Sequence, residues 1–417
     1  MAAKRISILL VLWLCTVACG DGLFLDGVSA RSVGRGGTNL GFADNGAVIH
    51  DNPGGLINMR SCSFKETNAM LLFSNVDYSD PGGVSDFRQD VIPLGSAAFG
   101  KKINEDVAIG LGVFASGGLA GRSVMPGPIP FAGNRTYKSF GALVRALPAV
   151  SVRMTDRWSL GATAGVAASH LEVEGPHTIQ SGVLAGTPIL LDTQGTGAAF
   201  TWSIGSQFQL TPKTTLGVSY QSENSFDLDG KTTTVIPGIG ESVFDSTMSI
   251  VYPESVGLGV RHAFNCRQVG AVDLIYYNWL RAFDGIGMEM RNATNPVVAT
   301  FGTLNDTFPL GWRDSLSVRL GFEQTLANND KVRFGYVYHR NPIPPAFQTL
   351  YVATPLEHTF SAGYGTQYRG WNVDFGYKYT TGDTVDIGSS ALLGGDWNDG
   401  FLKTQAHVFF VSFGRGT

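Results

Sequence analysis

Residues 371–379 read Trp-Asn-Val-Asp-Phe-Gly-Tyr-Lys-Tyr. Val373, Phe375, Tyr377 and Tyr379 recur at every second position, and Asn372, Asp374, Gly376 and Lys378 fill the positions between them. A strand sends successive side chains to opposite faces, so this spelling separates an apolar face from a polar one. A helix of about 3.6 residues per turn would mix the two sets. The same division recurs upstream. Leu316, Val318, Leu320 and Phe322 oppose Ser317, Arg319, Gly321 and Glu323, and Val256, Leu258 and Val260 oppose Ser255, Gly257, Gly259 and Arg261. Val332, Phe334, Tyr336 and Tyr338 oppose Arg333, Gly335 and His339, with Val337 the one apolar exception.

Fourteen such runs are legible, near 62–78, 91–103, 106–119, 138–154, 159–175, 195–210, 215–229, 246–265, 268–283, 314–327, 331–344, 356–368, 371–386 and 402–413. Short turn-like links such as Thr155-Asp156-Arg157 and Asn328-Asn329-Asp330 alternate with long ones at 79–90, 120–137, 176–194, 230–245, 284–313, 345–355 and 387–401. Short and long links alternating around an even strand count predict an outer-membrane barrel, with turns in the periplasm and loops outside. Closure also removes the unpaired edges that lipid cannot solvate. The expected fold is therefore all-β: a transmembrane antiparallel β-barrel of about fourteen strands over residues 62–417.

Composition agrees. Glycine fills 54 of 417 positions, about 13% against an average near 7%. Charged residues are 15%, below the roughly 25% of soluble domains, and aromatics reach 11%. Low charge with many aromatics excludes a disordered chain. A net charge of −4 without a basic stripe argues against nucleic acid as a partner. A soluble sandwich or propeller would carry more surface charge and would not turn its apolar faces outward.

Residues 1–20 predict a secretory signal peptide: Lys4 and Arg5, an apolar run over 6–18, then Ala18-Cys19-Gly20 before Asp21. The run is too short to span a bilayer as a helix. Cys19 offers a lipoprotein alternative, although Thr16 stands where such signals usually have Leu. Beyond the leader, Cys62 and Cys266 are the two remaining cysteines and could pair in an oxidising compartment. The mature chain is thus expected in the outer membrane, in contact with its lipid and lipopolysaccharide.

Residues 21–61 do not alternate and are rich in glycine. Gly34-Arg35-Gly36-Gly37 superficially resembles a phosphate loop, but no Lys-Ser/Thr follows. The order Ser29-Ala-Arg-Ser-Val-Gly-Arg-Gly-Gly37, then Ala43-Asp44-Asn45, then Asn52-Pro53-Gly54-Gly55-Leu56 resembles the hatch of the outer-membrane long-chain fatty acid and hydrocarbon transporter family, the FadL/TodX type. Further matches are Pro253-Glu-Ser-Val-Gly-Leu-Gly-Val260, residues 332–344 and His358-Thr-Phe-Ser-Ala-Gly-Tyr364, so the resemblance spans nearly all of the mature chain. It implies a fourteen-stranded barrel with residues 21–61 as an N-terminal hatch, or plug, carrying Gly34, Arg35, Gly36, Gly37, Asp44, Asn52, Pro53 and Gly54. The family usually has Ala where this chain has Gly54, a small-for-small change expected to leave the hatch in place.

The resemblance also implies passive uptake of hydrophobic small molecules, long-chain fatty acids first. Ligands would be captured by the loops, held in an internal pocket and released sideways where the third strand is kinked. Residues 116–118, Ser-Gly-Gly, place Gly117 and Gly118 at that kink. Val183, Leu184, Ile189, Leu190 and Leu191 in one long link, and Val235, Ile236, Ile239 and Phe244 in another, suggest a hydrophobic loop groove, with Val124, Met125, Ile129 and Phe131 adding to it. Packing of the loops on one another would account for the same residues. By correspondence with the fatty-acid type, Arg313 and His170 would serve the ligand carboxylate.

No Gly-x-Ser-x-Gly or His-Glu-x-x-His signature is present and the seven histidines are scattered, so no enzyme, metal or cofactor is expected. A monomer is expected. Uptake of aromatic hydrocarbons, a non-transporting envelope scaffold and a general diffusion porin are the alternatives.

Overall fold

Fourteen strands close the barrel in this computed structural model, which describes residues 23–87, 91–353 and 355–416. The expected signal peptide lies outside the described residues. The strands are β1 (Ser63–Asp80), β2 (Val91–Lys102), β3 (Val107–Pro126), β4 (Asn134–Thr155), β5 (Trp158–Thr178) and β6 (Pro188–Thr211). Four interrupted strands follow: β7 (Thr214–Gln221, then Asn224–Ile236), β8 (Gly240–Tyr252, then Ser255–Ala263), β9 (Gln268–Tyr277, then Gly285–Arg291) and β10 (Leu304–Pro309, then Ser315–Thr325). The circuit ends with β11 (Lys331–Tyr338), β12 (His358–Tyr368), β13 (Trp371–Thr381) and β14 (Phe401–Gly416). Neighbours pair antiparallel, and β14 returns to β1 with Phe64 opposite Gly416 and Ser79 opposite Phe401.

The alternation seen in the sequence sorts the faces. Phe375, Phe334, Phe360 and Phe200 are half or more exposed on the outside of the wall, where lipid would cover them. Asp374, Lys378, Arg319 and Arg333, each next to one of the outward-facing positions, are buried inside. This inversion of a soluble protein's pattern is what a bilayer selects.

Two expectations need correction. The links at 176–194, 230–245 and 284–313 are largely strand. β7 and β8 continue until Ile236 lies opposite Gly240, β9 resumes at Gly285 after a short interruption, and β10 begins at Leu304 and resumes at Ser315. These extensions have left the zone of apolar outward residues, and Lys231-Thr-Thr-Thr234 is β-branched but polar, so strand propensity persists while the alternation fades. Cys62 and Cys266 are both exposed and unpaired. They sit at the start of β1 and in the β8–β9 turn, staves far apart around the barrel.

Residues 23–61 lie within the barrel. They contain two short helices, α1 (Ala30–Gly34) and α2 (Val48–Asp51), and a 3₁₀ turn, Pro53–Asn58. Their backbone groups bond to side chains on strands all around the circuit. Gly46 N donates to Glu66 of β1, Gly54 O accepts from Ser159 of β5, Asn39 N donates to Asp273 of β9 and Ala30 N to Ser412 of β14. Only a segment inside the lumen reaches all of these.

Candidate functional site: the barrel lumen

At the turn end of the barrel the N-terminal segment is held by charge. The Ser29 hydroxyl caps α1 by accepting from Ser32 N at 3.2 Å. Just past the helix, Gly36 and Gly37 adopt φ of +63° and +71°, and a Cβ on Gly36 would stand 2.6 Å from the Leu320 carbonyl oxygen. The Gly-Arg-Gly-Gly run is thus a tight turn laid against β10 and β11, not an anion cradle. The turn delivers Arg35, fully buried, to Asp44: Nη1 donates to Oδ2 at 2.8 Å and Nη2 to Oδ1 at 3.1 Å. The guanidinium also lies 3.5 Å over the Phe42 ring. Burial pushes the Asp44 carboxyl up, but Arg35 and then Arg31 hold it well below the usual carboxylate range.

The network extends into the wall. Glu323 is 3.5 Å from Arg35, 2.7 Å from Arg333 and 2.6 Å from Lys331. Asp374 is 2.7 Å from both Arg31 and Arg333. Charges buried here are paired, which is the condition for tolerating them.

Asn52, Pro53 and Gly54 form the second fixing point. Asn52 Oδ1 accepts from Gly54 N at 3.2 Å, and its Nδ2 donates to the carbonyls of Leu40 and Ser206 at 2.8 and 3.0 Å. A Cβ on Gly54 would meet the Gly205 carbonyl oxygen at 2.6 Å, and one on Gly161 would meet Pro53 O at 2.3 Å. The chain backbone here touches strand backbone directly, which explains why glycine stands at 54 in this sequence.

The wall is incomplete on one side. β2 pairs with β3 only from Ser96 opposite Phe114 to Lys102 opposite Ala108, and the next pairing of β3 on that flank is the two-residue strand Asp86–Phe87 with residues 123–124. Residues 115–122 of β3 therefore make no ladder with β2, and its register with β4 shifts between Ala115 and Gly117. The N-terminal segment meets the irregular stretch: Leu25 N donates to Ser116 O at 3.1 Å and Gly118 N to Leu23 O at 3.0 Å. A Cβ on Gly117 would lie 2.7 Å from Leu23 O, so only glycine admits this contact.

Two cavities flank it. One, about 840 Å³ of space free of atoms and partly open to solvent, is bordered by Leu171, Leu191, Met248, Ile250, Met288 and Phe308 among others. Its ionisable lining, tyrosines aside, is His177 and Asp306, and these two bond each other at 2.8 Å. The other, about 1090 Å³, is bordered by Leu72, Ile92 and Leu94 of β1 and β2 and by residues 117–121 of β3, so it faces the gap. Lys378, which borders it, is 3.5 Å from Asp26. Leu23, Gly118, Leu119, Gly141 and Tyr351 border both cavities and stand between them.

The structure does not bring Arg313 and His170 together at a cavity. Arg313 is exposed in the interruption of β10, between Pro309 and Ser315. His170 falls between buried Ser169 and Leu171, so it points out of the barrel, with Nδ1 2.8 Å from Thr196 Oγ1 and its ring 6.0 Å from Phe140. One step along a strand changes the face, and Leu171 is the neighbour that lines the cavity. The expected loop groove is not an outer surface either. Ile189, Leu191, Ile236, Phe244, Met125 and Phe131 are buried, Leu184, Leu190, Val235, Ile239 and Val124 are half-buried, and Val183 and Ile129 are well exposed. The strands that carry the buried ones rise beyond the membrane zone and turn these side chains inward, where they close over the lumen.

Sequence reasoning missed Leu23, Phe24, Tyr252, Tyr277, Trp279 and the His177–Asp306 pair. The available signal was the loss of alternation at 278–284, where Trp279 opens a short helix, Trp279–Ala282, capped by Phe283, that interrupts β9. An aromatic-rich break in a strand marks chain that serves the lumen.

Residues 11–414 match the family described as outer membrane protein transport protein (OMPP1/FadL/TodX). No curated protein matches this chain in sequence. Among solved structures, the toluene transporter TodX of Pseudomonas putida superposes with a TM-score of 0.78 at 18% identity, covering 95% of this chain and 100% of that one. A FadL homologue of Pseudomonas aeruginosa gives 0.74 at 15% identity over 95% and 99%. The toluene transporter TbuX of Ralstonia pickettii gives 0.72 at 17% over 94% and 99%. At these identities the likeness is one of fold.

Proposed function

The chain belongs to the outer membrane protein transport family (OMPP1/FadL/TodX), β-barrel transporters of hydrophobic compounds, and from that premise we propose that it takes up small ring-bearing apolar compounds rather than long-chain fatty acids. The observation that carries this is the lining of the cavity beneath the loop ends: aliphatic, thioether and aromatic groups, with its one His and one Asp bonded to each other. A carboxylate lodged there would lose water and gain no cation, a cost that selects against acids. A toluene-sized ring loses nothing.

In this reading a compound enters from the loop side, rests in the first cavity, and passes the partition of Leu23, Gly118 and Leu119 into the second. It leaves sideways between β2 and β3 into the membrane. The N-terminal segment is the hatch: it blocks the water path through the lumen, and its residues 23–25 pair with β3 where the ladder to β2 is missing. Passage needs only local displacement of those residues. The unfilled hydrogen bonds of the gap face lipid briefly, and the hatch supplies partners when the gap is shut.

The test is uptake of labelled toluene and of a labelled long-chain fatty acid by cells that lack a transporter of their own and carry this protein. Saturable toluene uptake above that of empty cells, with little gain for the fatty acid, is the expected result. A larger gain for the fatty acid would overturn the proposed selectivity. No gain for either, with the barrel inserted, would point to a scaffold.

A further inference from the structure

The ring of Phe24 is carried into the lumen by the N-terminal segment and sits in a box of three buried aromatic side chains. Its centroid lies 5.3 Å from Tyr277, nearly parallel at 20°, 5.6 Å from Trp279 and 6.1 Å from Tyr252. The guanidinium of Arg145 stands 5.5 Å from the same ring. Arg145 is 3% exposed, and its hydrogen bonds go to neutral amide oxygens: Nη1 to Gln221 Oε1 at 2.7 Å and Nη2 to Asn224 Oδ1 at 3.0 Å. Among the described residues no carboxylate pairs with it. This sets it apart from Arg31, Arg35, Arg319 and Arg333 in the same lumen, each of which has an acidic partner.

Two donors around the box have no acceptor at all: Arg145 Nε and Trp279 Nε1 are buried and unbonded. A buried cation that lacks a counter-ion, and buried N–H groups that lack acceptors, are costly unless something else satisfies them. Phe24 supplies a ring to this site but no anion.

We propose that the Phe24 position is a binding site for an aromatic carboxylate, a single ring bearing an acid group, and that Phe24 is its built-in competitor. The ligand's ring takes the place of the Phe24 ring against Tyr277 and Trp279, and its carboxylate neutralises Arg145. Because the Phe24 backbone is bridged to Gly117 of β3, displacing the ring loosens the residues that cover the gap. The inference rests on the uptake route proposed above and adds to it a ligand class that the apolar cavity alone would refuse.

The test is equilibrium dialysis of the purified full-length protein in detergent with labelled phenylacetate, toluene and decanoate. These share, respectively, ring and acid, ring alone, and acid alone. Saturable binding of phenylacetate, tighter than decanoate, is expected. Arg145→Gln should weaken phenylacetate roughly tenfold or more and leave toluene unchanged. Phe24→Ala should tighten phenylacetate several-fold, because the bound state no longer has to expel a ring. Phe24 lies outside the barrel strands, so that variant decides the matter even if Arg145→Gln fails to fold. Phenylacetate binding that is absent, or indifferent to both substitutions, overturns the proposal. Toluene uptake by cells in that case would leave the transport route standing, whereas loss of toluene uptake too would remove both.

Discussion

Toward the periplasmic turns, the lumen holds the N-terminal segment through Arg31, Arg35, Asp44, Glu323, Arg333 and Asp374, every charge paired. Toward the loops, it is lined by Leu171, Leu191, Met248, Met288 and Phe308 around open space. Both regions are enclosed by the same strands, and the inward residue at each step decides which one is built. The polar region is specific: ion pairs and hydrogen bonds fix one seating for the segment. The apolar region is permissive: dispersion and exclusion of water ask only for fit. In the route proposed above, division of the lumen into a fixed floor and a receptive chamber would let one pore stay closed to water and open to oil.

The largest break in that comparison is Arg35→Ala. It leaves Asp44 without its forked partner and Glu323 short of one cation, and removing one member of a buried pair costs about 3–5 kcal/mol. The segment should unseat, seen as rapid cleavage of residues 23–61 by added protease and as salt conductance through bilayers holding the variant. Gly54→Ala follows. A Cβ 2.6 Å from the Gly205 carbonyl oxygen forces the backbones apart, at about 1–3 kcal/mol, and should raise protease sensitivity to a smaller degree.

Acid gives a graded form of the same break. The folded-state Asp44 carboxyl is held well below its unfolded value, so its contribution is present above the ordinary carboxylate range and is lost as pH falls through the depressed value. Protection of the segment from an acid-active protease should therefore decline only well below pH 4, and in Arg35→Ala the decline should begin nearer the ordinary range. In the receptive chamber, Leu191→Trp should fill space and cut toluene uptake several-fold while leaving protease protection of the segment unchanged. The smallest effect belongs to Arg313→Ala and His170→Ala, which border neither cavity. Both should take up toluene at the unaltered rate.

The wall was legible from the sequence because lipid outside and water or charge inside impose a period of two, as at residues 371–379 and 314–323. The N-terminal block was legible from Gly34, Arg35, Asp44 and Asn52-Pro53 by resemblance, and the contacts of Gly36, Gly37 and Gly54 give the reason: backbone meets backbone there, and side chains are excluded. The chamber was not legible. Its residues, among them Leu23, Leu171 and Met288, come from separate strands and are assembled by register, which alternation does not reveal. His170 shows the sensitivity, since a shift of one position exchanges lumen for lipid. The loop groove failed for a different reason. Apolar residues such as Ile236 and Phe244 looked exposed only because polar strand was taken for loop.

The central claim is that ligand leaves through the side of the wall. Gly121 lies in the stretch of β3 without a β2 partner, borders the cavity at the gap, and has room: a Cβ there would meet nothing closer than 3.7 Å. The direct measurement is the initial rate of labelled toluene uptake with Gly121→Trp, at equal levels of inserted barrel. Uptake reduced to that of cells without the protein is the predicted result. Uptake at the unaltered rate would contradict a lateral exit and send the ligand through the floor.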